Sequence, residues 1–259
     1  MPDKYVRGRR LGYGVQPTDF DKSSLVLLFI HGTGGDREDW QGQLDGLSAL
    51  AGVIALDLPG HGASDPPGET SVQSYTDWVV DFVSAMKLSK VFVIGCSLGS
   101  AIAQLIALST RPWLVGIGLV GAGARLKVHP AVLDGLRRDK EKALAMLADY
   151  CLSPATGHPL RQEISQKFLL ADPELIHGDL SGCNEFDVLD QIQAINIPTW
   201  IIVGQDDRLT PPKYAHFLHS AISGSELAMV PDAGHLVMME KPSEFNRRLA
   251  DFLARRALL

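Results

Sequence analysis

Cysteine is scarce in this chain: three in 259 residues, at positions 96, 151 and 183. An odd number at wide spacing argues against a disulfide framework and suits a reducing compartment, so a cytoplasmic location is expected. Long apolar runs are missing as well. None reaches the roughly 20 residues that span a bilayer, so no membrane partner is expected. A basic excess is also absent: 24 Lys and Arg against 30 Asp and Glu leave a net charge of −6, which argues against nucleic acid as a partner. Residues 1–10 are too polar for a secretory leader, and their Arg7, Arg9 and Arg10 are read as a solvated strand. His129, His158, His177, His216 and His219 show no zinc spacing, so no metal is expected. Internal repeats and low-complexity segments are lacking.

The composition is that of an ordinary globular protein, 46% hydrophobic and 21% charged. A chain of this length buries about 75% of its unfolded surface, enough for one large core. Short apolar runs, mostly rich in β-branched residues, fall at 25–30, 53–56, 91–94, 114–120, 199–203 and 226–230. Helix-like segments lie at 37–50, 71–87, 97–109, 211–221 and 242–255. This alternation predicts an α/β fold, a mostly parallel sheet flanked by crossover helices. Residues up to about 14 are expected to add antiparallel edge strands. From 127 to 182 the rhythm breaks, with helical patterns over 131–150 and 160–170 and no convincing strand. The expected organisation is a core of 1–126 and 183–259, with 127–182 inserted between sheet strands as a helical cap.

The pentapeptide Gly95-Cys96-Ser97-Leu98-Gly99 separates an expected strand from an expected helix. Strand, sharp turn and helix with a serine at the apex is the context of a nucleophile elbow. A serine hydroxyl becomes nucleophilic only when a base takes its proton and an acid orients that base. Residues of both kinds follow, each just beyond an expected strand: Asp206 and Asp207 after 199–203, and His235 after 226–230. The carboxyl ends of parallel strands line one sheet edge, so Ser97, one aspartate of the pair and His235 are expected to converge there. Either aspartate can reach the loop tip. An attacked carbonyl also needs N–H donors for its developing oxyanion. Leu98, directly after the nucleophile, offers one. Thr33, in His31-Gly32-Thr33-Gly34-Gly35 after an early strand, offers the second.

With these residues in place the chain resembles the α/β-hydrolase superfamily, in particular its compact cap-bearing, carboxylesterase-like members. The resemblance rests on His31-Gly32 with Trp40, on Asp57-Leu58-Pro59-Gly60-His61-Gly62-Ala63-Ser64, and on the elbow. It extends to Asn196-Ile197-Pro198-Thr199, to Ala233-Gly234-His235 and to Glu240-Lys241-Pro242. It implies the α/β-hydrolase fold, a Ser97–Asp207–His235 triad with Asp207 rather than Asp206 as the acid, and hydrolysis without a cofactor. Two positions depart from the family pattern. Ser100 stands where a third glycine is frequent, and Cys96 stands where a polar or aromatic residue is common. A thiol nucleophile would occupy position 97, so Cys96 is read as a small packed side chain. Ser97 also argues against the branches that use an aspartate nucleophile, and Gly121 to Ala124 offer no rival acid.

Gly116-Ile117-Gly118-Leu119-Val120-Gly121 matches a dinucleotide fingerprint literally, but its glycines fall inside an expected strand rather than in a strand-to-helix turn. Close packing is the expected role. His31 and His61 flank the presumed pocket and are expected to shape loops, with His31 also a candidate substrate contact. Leu133, Leu136 and Met146, together with Leu147, Phe168 and Leu169, are candidate pocket lining. The expected activity is hydrolysis of a small to medium carboxylic ester by a monomer or small homo-oligomer. Lactone, thioester, peracid or carbon–carbon bond hydrolysis on the same triad is the alternative chemistry, and a low-turnover ligand receptor is the non-enzymatic one.

Overall fold

The computed structural model describes residues 2–259. Each apolar run becomes a strand: β3 (Val26–Ile30), β4 (Gly52–Leu56), β5 (Val91–Cys96), β6 (Leu114–Val120), β7 (Thr199–Gly204) and β8 (Glu226–Val230). β1 (Asp3–Val6) and β2 (Arg9–Gln16) precede them, and the eight form one sheet in the order β1-β2-β4-β3-β5-β6-β7-β8. β1 pairs β2, and β2 pairs β4, in antiparallel register. All other neighbours are parallel. The chain steps from β3 outward to β4 and then returns to lay β5 on the other side of β3. The carboxyl ends of β3 and β5 therefore flank the point where the winding reverses, which is where open α/β sheets bind ligands.

Period-2 alternation along buried strands feeds two cores, one on each face. Val26, Leu28 and Ile30 pack with α2 (Val72–Met86), α3 (Leu98–Leu108) and α8 (Pro212–Ala221). Leu27 and Phe29 pack with α1 (Gln41–Leu47) and α10 (Pro242–Arg255), which follows the short α9 (Val237–Glu240). The glycines of the literal dinucleotide match lie in or just after β6. A Cβ on Gly116 would come 2.7 Å from the Pro198 carbonyl, and one on Gly118 would come 3.0 Å from the Ile94 side chain. They serve strand packing.

Two expected helices are broken. The 37–50 segment is a 3₁₀ turn, Arg37–Trp40, followed by the shorter α1. The 131–150 segment is α4 (Pro130–Arg138) and α5 (Lys140–Tyr150), separated at Asp139. Asp139 leaves the helical region (φ −151°, ψ 73°) and its carboxylate accepts the Lys142 N–H, so it ends one helix and caps the next. α6 (His158–Leu170) and α7 (Pro173–Glu185) complete a four-helix insertion between β6 and β7. α7 runs past residue 182, and an antiparallel bridge between Arg125 and Asp187 closes the base of the insertion. Among the described residues no helix is long and apolar enough to cross a membrane.

Candidate active site

Ser97 stands between β5 and α3 with φ 53° and ψ −113°, a conformation that strains a residue bearing a Cβ. The neighbours explain how it is held. Its N–H donates to the Val120 carbonyl at 3.0 Å, and its own carbonyl accepts from Ser100 and Ala101. Both elbow glycines are obligatory, since a Cβ on Gly95 would meet the Gly99 carbonyl and one on Gly99 the Ile30 carbonyl. Ser100, where the family pattern often has glycine, uses its hydroxyl to donate to the Ser97 carbonyl at 2.6 Å. Cys96 is fully buried, with Sγ 3.9 Å from the His235 carbonyl oxygen, and burial pushes its thiol well up from the usual range. It is a small packed side chain, as its offset from the apex suggests.

Asp207 and His235 sit in the turns after β7 and β8. His235 Nδ1 lies 2.9 Å from Asp207 Oδ2, both residues only 3% exposed. An ionised carboxylate can only accept, so the proton is on Nδ1 and Nε2 is the free, basic nitrogen. Asp207 is fully engaged: Oδ1 accepts the Leu209 and Thr210 N–H groups, and Oδ2 accepts the Thr210 hydroxyl at 2.8 Å. Burial works against a charged His235, but the Asp207 charge and hydrogen bond, with Glu240 behind, outweigh it and raise the pKa above 6.5. Asp206 is turned elsewhere and accepts the Ser153 hydroxyl at 2.6 Å. Gly121, at the end of β6, has φ 51°, and a Cβ there would come 2.8 Å from His235 Nδ1. The ring needs that space.

The loop after β3 passes so close to the elbow that a Cβ on Gly32 would stand 3.2 Å from Ser97 Cβ. Thr33 follows, and Leu98 is the first residue of α3, where backbone N–H groups have no partner within the helix. A cavity of about 290 Å³ opens here, lined by Thr33, Ser97 and His235 and roofed by Val132, Leu147, Ile164, Phe168 and Leu180 of the insertion. Several expected contacts lie outside its lining. Leu136 is packed among insertion side chains and Leu133 is half-buried, while Met146 and Leu169 are exposed at 36% and 50%. One residue along a helix is about 100° of rotation, so Val132, Leu147 and Phe168 face the cavity and Leu133, Met146 and Leu169 turn away. Leu98 is not among the residues that line the cavity.

His31 is not a cavity residue either. It is wholly buried, its Nε2 accepts the Leu58 N–H at 3.0 Å, and its Nδ1 lies 2.7 Å from the Gly32 carbonyl. Burial, helped by the charge of His61, holds it neutral with a pKa lowered to about 3. It shapes the loop. Three residues near the site carried no role from sequence. Thr210 donates into the Asp207–His235 pair. Glu240 accepts the Gly234 and Ser153 N–H groups, both at 2.8 Å, tying the His235 loop to the insertion. Lys167 of α6 pairs with Asp36 at 2.9 Å and Asp39 at 2.5 Å, tying the insertion to the turn after β3. Glu240 had a signal in Glu240-Lys241-Pro242, whereas Lys167 had none. Among the described residues no cluster of His, Cys, Asp and Glu is suited to a metal ion.

Comparison with known proteins gives a consistent result. The model of the alpha/beta hydrolase family matches residues 27–248. A solved structure described as a thermophilic esterase has a TM-score of 0.87 at 35% identity, covering 98% of this chain and 97% of that one. The 3-oxoadipate enol-lactonase 1 of Acinetobacter baylyi is 26% identical over 244 residues, 90% of each chain. The dihydrolipoyllysine-residue acetyltransferase component of the acetoin cleaving system of Cupriavidus necator is 28% identical over 239 residues, 88% of this chain but 63% of that protein.

Proposed function

This chain belongs to the alpha/beta hydrolase family, and on that premise we propose that it is a serine hydrolase cleaving a small to medium carboxylic ester through an acyl-enzyme. One observation carries the reading: a serine at a strained elbow shares a cavity with a histidine whose Nδ1 is held by a buried aspartate. His235 Nε2 takes the Ser97 proton as Oγ attacks the carbonyl carbon. Asp207 fixes the tautomer and stabilises the imidazolium. The Thr33 and Leu98 N–H groups receive the oxyanion, each worth about 3 kcal/mol of barrier. His235 then protonates the leaving alcohol, and the same nitrogen activates the water that releases the acid.

The insertion acts as a cap. Its Val132, Ile164 and Phe168 give the acyl or alcohol part an apolar wall, so a neutral, modestly sized ester fits better than a polar one. A lactone is a cyclic ester open to the same attack, and the enol-lactonase relative makes it the second substrate to try. The reading places the protein in the cytoplasm with no cofactor in the reaction.

Steady-state hydrolysis of p-nitrophenyl butyrate by the parent protein and Ser97→Ala tests it. Multiple turnovers by the parent and a fall of at least about 10⁴-fold in the variant are expected. Equal rates in the two proteins would remove Ser97 from the chemistry, and a single stalled turnover by the parent would favour a receptor.

A further inference from the structure

The cap helix α7 carries a carboxylate with no solvent around it. Asp179 is wholly buried, and a buried charge is tolerated only when its lone pairs are filled. Three donors fill them from three elements. The Tyr75 hydroxyl of α2 donates to Oδ1 at 2.7 Å. His61, in the loop after β4, stands with Nε2 at 3.0 Å from Oδ2. The Gly34 N–H donates to the same Oδ2 at 3.2 Å. Bonds to Tyr75 and His61 alone would anchor α7 to the core. The bond to Gly34 reaches one peptide beyond Thr33.

That segment cannot hold itself. Glycines at 32, 34 and 35 give it little intrinsic preference for one conformation, and Gly34 itself sits at φ 66°. Its one internal bond runs from the Gly35 N–H to the Gly32 carbonyl at 3.1 Å, which closes the turn without fixing the peptide planes inside it. The Asp179 carboxylate pins the plane between residues 33 and 34. Ile176, one turn earlier on α7, lies 3.3 Å from where a Gly34 Cβ would stand. α7 comes this close because its Gly178 and Gly182 lie against the backbone of residues 69–71.

We propose that Asp179 is a positioning residue: by holding the Gly34 peptide it aims the Thr33 N–H at the oxyanion, so that the cap completes the site as well as covering it. This rests on the reading of Thr33 as an oxyanion donor. The test is kinetic and uses the full chain. Asp179→Asn keeps the side-chain shape and removes the charge that gathers the three donors. For p-nitrophenyl butyrate, kcat is expected to fall about 10- to 100-fold, part of the loss seen when an oxyanion donor is removed outright, with KM little changed.

A purely structural role is separated by the matching thionoester. Sulfur is larger and a weaker acceptor than oxygen, so well-aimed N–H donors favour the oxygen ester. Asp179→Asn is expected to narrow that preference at least about fivefold. A folded variant with parental kcat overturns the proposal, and so does a lower kcat with an unchanged preference. Should Asp179→Asn lose its cooperative melt, Tyr75→Phe decides: it removes one bond from the same carboxylate and opens no cavity. A smaller narrowing supports the proposal, and no narrowing overturns it. A parent protein that is inert, or that works equally well as Ser97→Ala, fails the underlying reading and takes the proposal with it.

Discussion

Two adjacent carboxylates at the end of β7 have separate partners. Asp207 gathers two backbone N–H groups, the Thr210 hydroxyl and His235, whereas Asp206 receives the Ser153 hydroxyl of the insertion. Asp207→Asn preserves the shape but can present an amide N–H to Nδ1, holding His235 in the wrong tautomer. The expected cost is about 10⁴-fold in kcat. Asp206→Asn should leave kcat near the parental value, and ester turnover by the two variants in parallel decides the matter. A comparable loss in both would sink the assignment. Residue chemistry alone narrows the expected acid to this pair and does not separate the two. The choice depends on backbone bonds in the turn, Asp207 N–H to Gly204 and Asp206 N–H to Ala233. The elbow was easier to read, because glycines 95 and 99 are dictated by backbone contacts that no other residue survives.

Among the elements, the strands were the most legible. Buried parallel strands are continuous apolar runs bounded by turns, and β6 and β8 begin and end where their runs do. The insertion was legible as helical but not in its rotation. Its helices are amphipathic against one another as well as against the sheet, so an apolar position such as Leu136 can face a neighbouring helix instead of the cavity. Long-range ionic ties were hidden altogether. Lys167 reaches Asp36 and Asp39 across more than 120 positions, and Asp39 is only 6% exposed. Lys167→Met leaves that buried carboxylate without its cation. A loss of about 3 kcal/mol is expected in urea unfolding, toward the low end for a buried pair because Lys167 is partly solvated. Adding Asp39→Asn should return part of it. Strictly additive losses would show that the pair does not couple α6 to the loop after β3.

Over the whole molecule, the two carboxylate-paired histidines are expected to make acidity act on activity and stability in opposite directions. His235 and His61 both have pKa values above 6.5. In each case burial opposes the charge, and the facing carboxylate, Asp207 or Asp179, outweighs it. Glu240 adds to the field at His235, and Asp57 to that at His61. A histidine whose folded pKa is raised stabilises the protein fully below about pH 6.5, and that contribution is lost as pH rises through the folded value. The general base works only when neutral. Activity should therefore climb over the same interval in which these two contributions to Tm are lost. His31, held neutral with a pKa of about 3, works the other way, and its contribution to stability grows as pH rises through about 6.5. Rates and melts recorded from pH 6 to 8.5 check this, and Asp179→Asn should remove the His61 contribution. A Tm profile with the same pH dependence in Asp179→Asn as in the parent would contradict the pairing of His61 with Asp179.

The few thiols of this chain give it a further property. Cys96 lies at the sheet rim, Cys151 just after α5 and Cys183 on α7, and all three border the cavity while buried. Burial pushes each thiol up, so at neutral pH none is the thiolate that alkylating agents require. Their silence is a property of the closed molecule. Each wall of the cavity thus carries its own native label, and peptide mapping after a brief exposure to alkylator would identify the wall that yields first. Covalent tagging becomes a stopwatch for breathing, with no cysteine to engineer and none on the outer surface to blur the reading.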